Sequence, residues 1–523
     1  MTEPVKIPKL HARWYEAHSI AGVFGLIPLF IIMVTGTITF YQHELIAWHI
    51  PAARVEAGEP VVKLDRLTAD FIHEVPKEAK SLFIEFPNRY FPILTAKWPS
   101  QDGDREIVRA VNPQTAEAID SNTVSSELAH HLYLWHFLFP LPQGIILAGF
   151  LSLAWIALTV SGIYIHRKKL ISQFTEGWKH ASDRAWQSWL HSIIGTLTLP
   201  FHLIYGITGV LYGLGTLALP LVLFITFGGD QKTMMENLTG NEEPAEVTGI
   251  TVERLPQLDP FLERTFAQAP GAEIYNIFIE NPYDEGALMH IHFTNSEGDD
   301  GEAKFEINRS LEPIFFENTL SLTPAVKILM PAFILHFGAF GGIPVKIAYT
   351  VMGITLCLLT YAGTRLWIYR KQRQSPRWSV VLDRLFDGFG LGLLPAIGIY
   401  AWANRLLPAY VADRGHVEIL IFHWSWIAIG LGVLIAGTGP SLRRWMMHLF
   451  VGMLAIVPIF DGFLHDTWPW QANSWYVPSV GIINIILLIF GGLWFGICLM
   501  RRPSAAKSKI VEAAENKTAL DAV

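Results

Sequence analysis

Three apolar stretches of this chain open on a histidine: AHSIAGVFGLIP at 17–28, WLHSIIGTLTLPFH at 189–202 and MHLFVGMLAIVP at 447–458. In each, a glycine follows four residues later and a proline nine or ten residues later. Four residues is about one helical turn, so the glycine lies on the histidine's own face and clears space beside it. A neutral imidazole is a metal ligand. Two of them, on different helices at one depth, can hold a haem iron from both sides. The same clearing also serves plain helix packing, where small residues at four-residue spacing are common.

Further histidines fall near apolar runs. His131 and His136 precede one run, His336 opens another, and His423 lies inside a third. His202 follows His191 by eleven residues, about 16 Å along a helix and on nearly the same face. It is too deep for an amphipathic end-cap, so it binds something or hydrogen-bonds across helices. His290 and His292 alternate on a strand-like stretch and read as surface residues. Asp461 and Asp466 flank His465 and read as a solvated turn.

The elements that must carry these residues are membrane helices. The 523 residues are 51% hydrophobic and 16% charged, against about a quarter charged in globular proteins. Eight runs approach the ~20 residues needed to span a bilayer: 18–40, 143–165, 192–227, 334–368, 384–407, 417–437, 446–463 and 479–499. Basic clusters follow alternate runs, at His166–Lys169, Arg365–Arg377, Arg443-Arg444 and Arg501-Arg502. The positive-inside rule then puts both termini in the cytoplasm and the polar segments 44–128 and 228–330 outside it. On this scheme His18, His191 and His448 sit near the inner face, and His131, His136 and His336 near the outer one.

Each polar segment carries an amphipathic stretch followed by strand-like stretches: LDRLTADFIHEV, SLFIEFP and VRAVNPQTAEAID in the first, and PQLDPFLERTFAQA, EIYNIFIEN, ALMHIHFT and FEINRSLEPIF in the second. The pattern predicts two small α+β modules, each between an outgoing and a returning helix, so the first ~370 residues read as a tandem duplication. The expected division is 1–43, N-terminus and first span; 44–128, first module; 129–227, second and third spans; 228–330, second module; 331–372, fourth span; 373–502, a four-helix membrane appendage; and 503–523, a disordered tail.

Several chemistries lack their signatures. Cys357 and Cys498 lie in apolar runs without CxxC or CxxCH spacing, which argues against disulfides and covalently attached haem. Neither GxGxxG after a strand, nor a P-loop, nor HExxH occurs. The tryptophans at span ends, Trp48 and Trp135 among them, fit an interfacial aromatic belt.

The runs AHSIAGVFGLIPLFIIMVTGTI, WLHSIIGTLTLPFHLIYGITGVLYG and LHFGAFGGIPVKIAYTVMGITLCLLTYAGTRLWIYRK, with the segments ending VNPQTAEAI and INRSLEPIF, resemble the PepSY-associated transmembrane-helix family over roughly residues 8–372. The resemblance implies an all-α polytopic membrane bundle with two small PepSY-like α+β modules in the periplasm. It also implies an activity: family members include di-haem b-type reductases of the bacterial inner membrane that act on ferric siderophores. Carried over by position, it points to His18 and His191 as axial haem ligands on the cytoplasmic side and His336 on the periplasmic side. The second span departs from the usual pattern, offering both His131 and His136. The distance to Gly144 favours His136, and His202, where an apolar residue is more usual, is a further candidate. Two b haems, a ferric chelate, membrane lipids and an electron donor (a quinol or a cytoplasmic reductase) are the partners this implies, with no nucleic acid. Two other readings stand beside it: a non-catalytic membrane protein that binds or regulates extracytoplasmic partners, and a permease for a metal chelate.

Overall fold

Proline and glycine cut the apolar runs into shorter helices, and the cuts decide where the histidines sit. A computed structural model describes residues 9–56, 63–100, 106–168, 171, 174, 182–234, 247–319, 324–471 and 475–500; the expected tail at 503–523 and the Arg501-Arg502 cluster lie outside them. Among the described residues six helices are long and apolar enough to cross a membrane, namely Gly144–His166, Leu199–Phe227, Gly342–Gln374, Arg414–Ala436, Pro440–His465 and Pro478–Leu499. A bent pair, Leu10–Phe24 with Pro28–Thr39, meeting at 66°, is long and apolar enough only when its two halves are taken together. The chain is a multi-pass membrane protein.

Proline ends the histidine-bearing helices in two of the three motif copies. Pro28 is the first residue of Pro28–Thr39, and Pro200 is the second of Leu199–Phe227. Both positions suit proline, whose missing N–H would be unpaired there anyway. The single run expected at 192–227 is therefore two helices, Asp183–Leu197 and Leu199–Phe227. In the third copy Pro458 stays inside Pro440–His465. The runs holding His136 and His336 are broken too, by a turn between Leu128–His136 and Gly144–His166 and by one between Pro324–Phe337 and Gly342–Gln374. The second turn uses Gly338, Gly341 and Gly342, all at positive φ, which glycine adopts without a steric penalty.

The run expected to span at 384–407 is interrupted as well. It is a π-helical turn, Phe386–Leu391, followed by the short helix Leu393–Leu406, and it is not among the helices that pass as spans. Asp387, at its start, pairs with Arg443, and Arg405, near its end, pairs with Asp461; both are buried within the C-terminal unit.

The polar segments meet in one antiparallel sheet of eight strands, ordered β4-β3-β2-β1-β5-β6-β7-β8. The first segment supplies β1 (Ser81–Glu85), β2 (Leu94–Pro99), β3 (Glu106–Val111) and β4 (Ala118–Ile119). The second supplies β5 (Glu273–Glu280), β6 (Leu288–Thr294), β7 (Asp300–Glu306) and β8 (Phe315–Glu317). An open edge strand invites association. Here each half caps the other, β1 on β5, with Leu82 opposite Ile279 and Ile84 opposite Ile277. These four residues, with Phe261 of the helix Asp259–Gln268, form the core of one sheet face. The other face is polar: β6 presents His290 and His292, which bond to Glu302 and Asn276 at 2.9 and 2.7 Å. His290 is buried, so the surface reading fails for it. Burial raises the Glu302 carboxyl, but the hydrogen bond from His290 and the charge of Lys304 outweigh that and hold it below the usual range.

Candidate functional site

The four histidines at the broken helices meet in two pairs. His18 lies against His191, ring centres 6.3 Å apart, and His136 against His336, 5.8 Å apart. Each pair takes one histidine from the first repeat and its counterpart from the second, as the β1–β5 seam does.

The hydrogen bonds follow the same symmetry. His18 Nδ1–H donates to the Leu158 carbonyl at 3.1 Å, and His191 Nδ1–H to the Leu359 carbonyl at 3.2 Å. His136 Nδ1–H donates to the Ile32 carbonyl at 2.9 Å. His336 Nδ1–H donates to Thr208 Oγ1 at 2.6 Å, a hydroxyl that itself donates to the Ile204 carbonyl. In all four the Nδ1 proton is held by another element, which fixes the tautomer and leaves Nε2 as a lone-pair donor. That outer hydrogen bond is what orients a metal-binding histidine. Two glycines make room for the rings. A Cβ on Gly36 would lie 2.5 Å from His136 Cε1, and one on Gly363 would lie 3.0 Å from His191 Cε1.

Each pair lines a cavity. The one away from the sheet, about 330 Å³, contains His18, His191, Gly22 and Gly195, with Arg184, Arg370 and His166 also in its lining. The sheet-side cavity, about 410 Å³, contains His136 and His336 with Gly36, Tyr205 and Tyr212. Leu29 and Trp155 line both cavities and form the wall between them. The buried hydroxyls of Tyr205 and Tyr212 and the indole N–H of Trp155 have no hydrogen-bond partner among the described residues. Both tyrosine rings pack edge-on against His336.

The other candidates are built differently. His202 lines the first cavity, but its Nε2–H donates to Thr198 Oγ1 at 2.7 Å and its ring packs on Trp155. His131 turns away from both cavities and meets His423 of the C-terminal unit, Nε2 to Nε2 at 3.2 Å. His448 accepts from Trp494 Nε1 at 2.9 Å, and its glycine, Gly452, faces Phe495. That copy of the motif serves helix packing.

The four paired histidines all fall within residues 15–370, which match the family model described as the PepSY-associated TM region. The chain belongs to the PepSY-associated TM family. The chain is similar to an uncharacterized protein of Pseudomonas aeruginosa, 25% identical over 379 residues that cover 69% of this chain and 92% of the relative. The PepSY-associated TM match covers both repeats and ends before the C-terminal helices.

That C-terminal unit is joined to the first repeat through buried charge. Asp461 takes Arg54 at 2.9 Å and Arg405 at 3.2 Å, and Arg405 also stacks on Trp48, 4.0 Å from its ring centre. The solvated turn expected at Asp461 is thus a fully buried ion-pair node, and Trp48 and Trp135 belong to the core. At the other end Asp383 pairs with Arg365 and with Arg443. Sequence reading missed these pairs because their members lie up to four hundred residues apart. It also missed the Leu158, Leu359 and Ile32 anchors, which are backbone carbonyls and carry no sequence signal.

Proposed function

We propose that the chain is a b-type haem reductase of the bacterial inner membrane. Both termini would lie in the cytoplasm, and electrons would pass outward to a ferric siderophore or other ferric chelate in the periplasm, for iron acquisition. The observation that carries this reading is two histidine pairs, each anchored through Nδ1, in two cavities that share one wall.

The residues present fit such a group. A metal–imidazole bond is about 2.0–2.1 Å and a ring centre lies roughly 1.1 Å beyond its nitrogen, so opposed ligands on one metal stand a little over 6 Å apart. The pairs stand at 6.3 and 5.8 Å. Two haems, one per cavity, would supply reversible one-electron chemistry. His18 and His191 would hold one and His136 and His336 the other, with Nε2 as the ligating atom. Arg184 and Arg370 offer cations to carboxylates at the first cavity. Tyr205 and Tyr212 offer unpaired hydroxyls in the second, whose lining contains no lysine or arginine. Leu29 and Trp155 keep water out of the gap between them.

The sidedness is supported by the described basic residues at the end of Gly342–Gln374 and the start of Pro440–His465, helix ends that do not lead into the sheet. Reduction is a sensible route to iron release, since hard oxygen donors hold iron(II) less tightly than iron(III). The donor, a quinol or a cytoplasmic reductase, would deliver its electron at the cavity of His18 and His191.

A reduced-minus-oxidised absorbance spectrum of the purified chain tests the proposal. Haem bands at close to two haems per chain are expected. A featureless spectrum from protein grown with sufficient iron would leave only the partner-binding or permease readings.

A further inference from the structure

The helix Leu128–His136 sends two of its three histidines, His131 and His136, to opposite destinations. His136 enters the sheet-side cavity; His131, five residues earlier, enters the C-terminal unit and meets His423. The proposed function makes no use of this second pair.

Its geometry constrains its protons. The two Nε2 atoms are 3.2 Å apart. Two bare lone pairs would repel at that distance and two N–H groups would clash, so one proton lies between them. Trp135 Nε1–H approaches both nitrogens, at 3.1 and 3.3 Å, and competes with that proton for the one lone pair left. Aromatic rings close the space around the pair: Phe422 and Tyr400 lie edge-on to His131 at 5.8 and 6.1 Å, and Trp135 lies edge-on to His423 at 5.8 Å. A second proton would make the pair an imidazolium–imidazole unit, its charge shared across one hydrogen bond. The titratable groups that face it are His130 on its own helix, Tyr400 from Leu393–Leu406 and, beyond the tyrosine, Glu127 and Glu418. Tyr400 Oη is buried without a partner among the described residues.

We propose that His131 and His423 form a proton-binding pair whose charge is linked to the electron held in the neighbouring cavity at His136. The inference rests on the haem reading. Five residues of helix separate the two histidines by about 7.5 Å along the axis and turn them to opposite sides, so the charges stand on the order of 15 Å apart, where at an effective dielectric constant of about 20 they still interact by more than thermal energy. When the sheet-side centre gains one electron from the donor, the pair gains one proton from the sheet-side solvent. No bond to carbon changes, and only the haem iron changes oxidation state. The role of the C-terminal unit, which lies outside the family match, is then to supply His423 and the cage.

Potentiometric titration of the purified haem-loaded chain between pH 5 and 8 tests this, beside H423Q. Glutamine keeps an acceptor for Trp135 and removes the titrating ring. In the parent chain the midpoint of one haem should fall with pH by up to about 59 mV per unit, the equivalent of a tenfold change in the one-electron constant. In H423Q that slope should flatten with both haem spectra intact. A parent slope of zero, or an unchanged slope in H423Q, would overturn the link. If neither protein binds haem, the haem reading and the link fall together, and nitrogen-15 spectra of the histidines then decide whether the proton-binding pair itself stands. Two signals titrating together in the parent, one of them missing in H423Q, uphold it, and independent titration ends it.

Discussion

At the residue scale, the division of labour among the histidines follows from which ring nitrogen is already engaged. His18, His191, His136 and His336 spend Nδ1 on a neighbouring element and keep Nε2 open. His202 spends Nε2 on Thr198, and His131 spends it on His423. Replacing His191 or His136 by alanine should therefore remove one haem's absorbance each, about half the total, while H202A retains both, as haem-to-protein ratios would report. The steric test is independent. Gly36→Val would drive a side chain into the His136 ring, which a Cβ alone already approaches at 2.5 Å. It should abolish the sheet-side signal and spare the other.

At the scale of elements, the extramembrane sheet depends on the seam between its halves. Ile277 and Ile279 of β5 are fully buried against β1. I277A should destabilise the sheet by about 2–5 kcal/mol, the usual range for such truncations, read as faster hydrogen exchange in β1 and β5 with the haem spectra unchanged. The turn between β5 and β6 carries a pH dependence. Slight burial raises the Asp284 carboxyl, but hydrogen bonds from Gly286, Thr248 and Gly249 outweigh it and pull the group down to about 2. A carboxyl depressed in the folded state contributes stability above its unfolded value, near 4, and loses it as pH falls toward 2. Exchange protection of the 281–287 turn should thus drop between about pH 4 and 2, and D284N should lack that dependence.

At the scale of the whole molecule, the two repeats meet twice around one pseudo-twofold relation, as paired edge strands outside the membrane and as paired histidines within it. Neither repeat alone closes a cavity or caps its sheet, which makes the first 374 residues one functional body. The C-terminal unit is added to one side through Asp461, Arg54 and Arg405. Removing one member of a buried ion network strands its partners, at a cost of about 3–5 kcal/mol. D461N should therefore lower the thermal unfolding midpoint of the detergent-solubilised chain by several degrees. An unchanged midpoint would mean that the unit is held by apolar packing alone.

The sequence by itself determined the membrane class, the two polar segments with their helix and most of their strands, and the tandem repeat, because hydrophobic length and periodicity are local properties. It left His131 and His136 as rivals and read the His448 motif as a possible third site. Only the tertiary structure separated these, by placing His136 beside Gly36 and His336, and His448 beside Trp494. The same holds for the fusion of two modules into one sheet and for the buried charges read as solvated. Hydrogen-bond partners distant in sequence, most of them backbone carbonyls, select the ring nitrogen that stays free, and no local pattern encodes them.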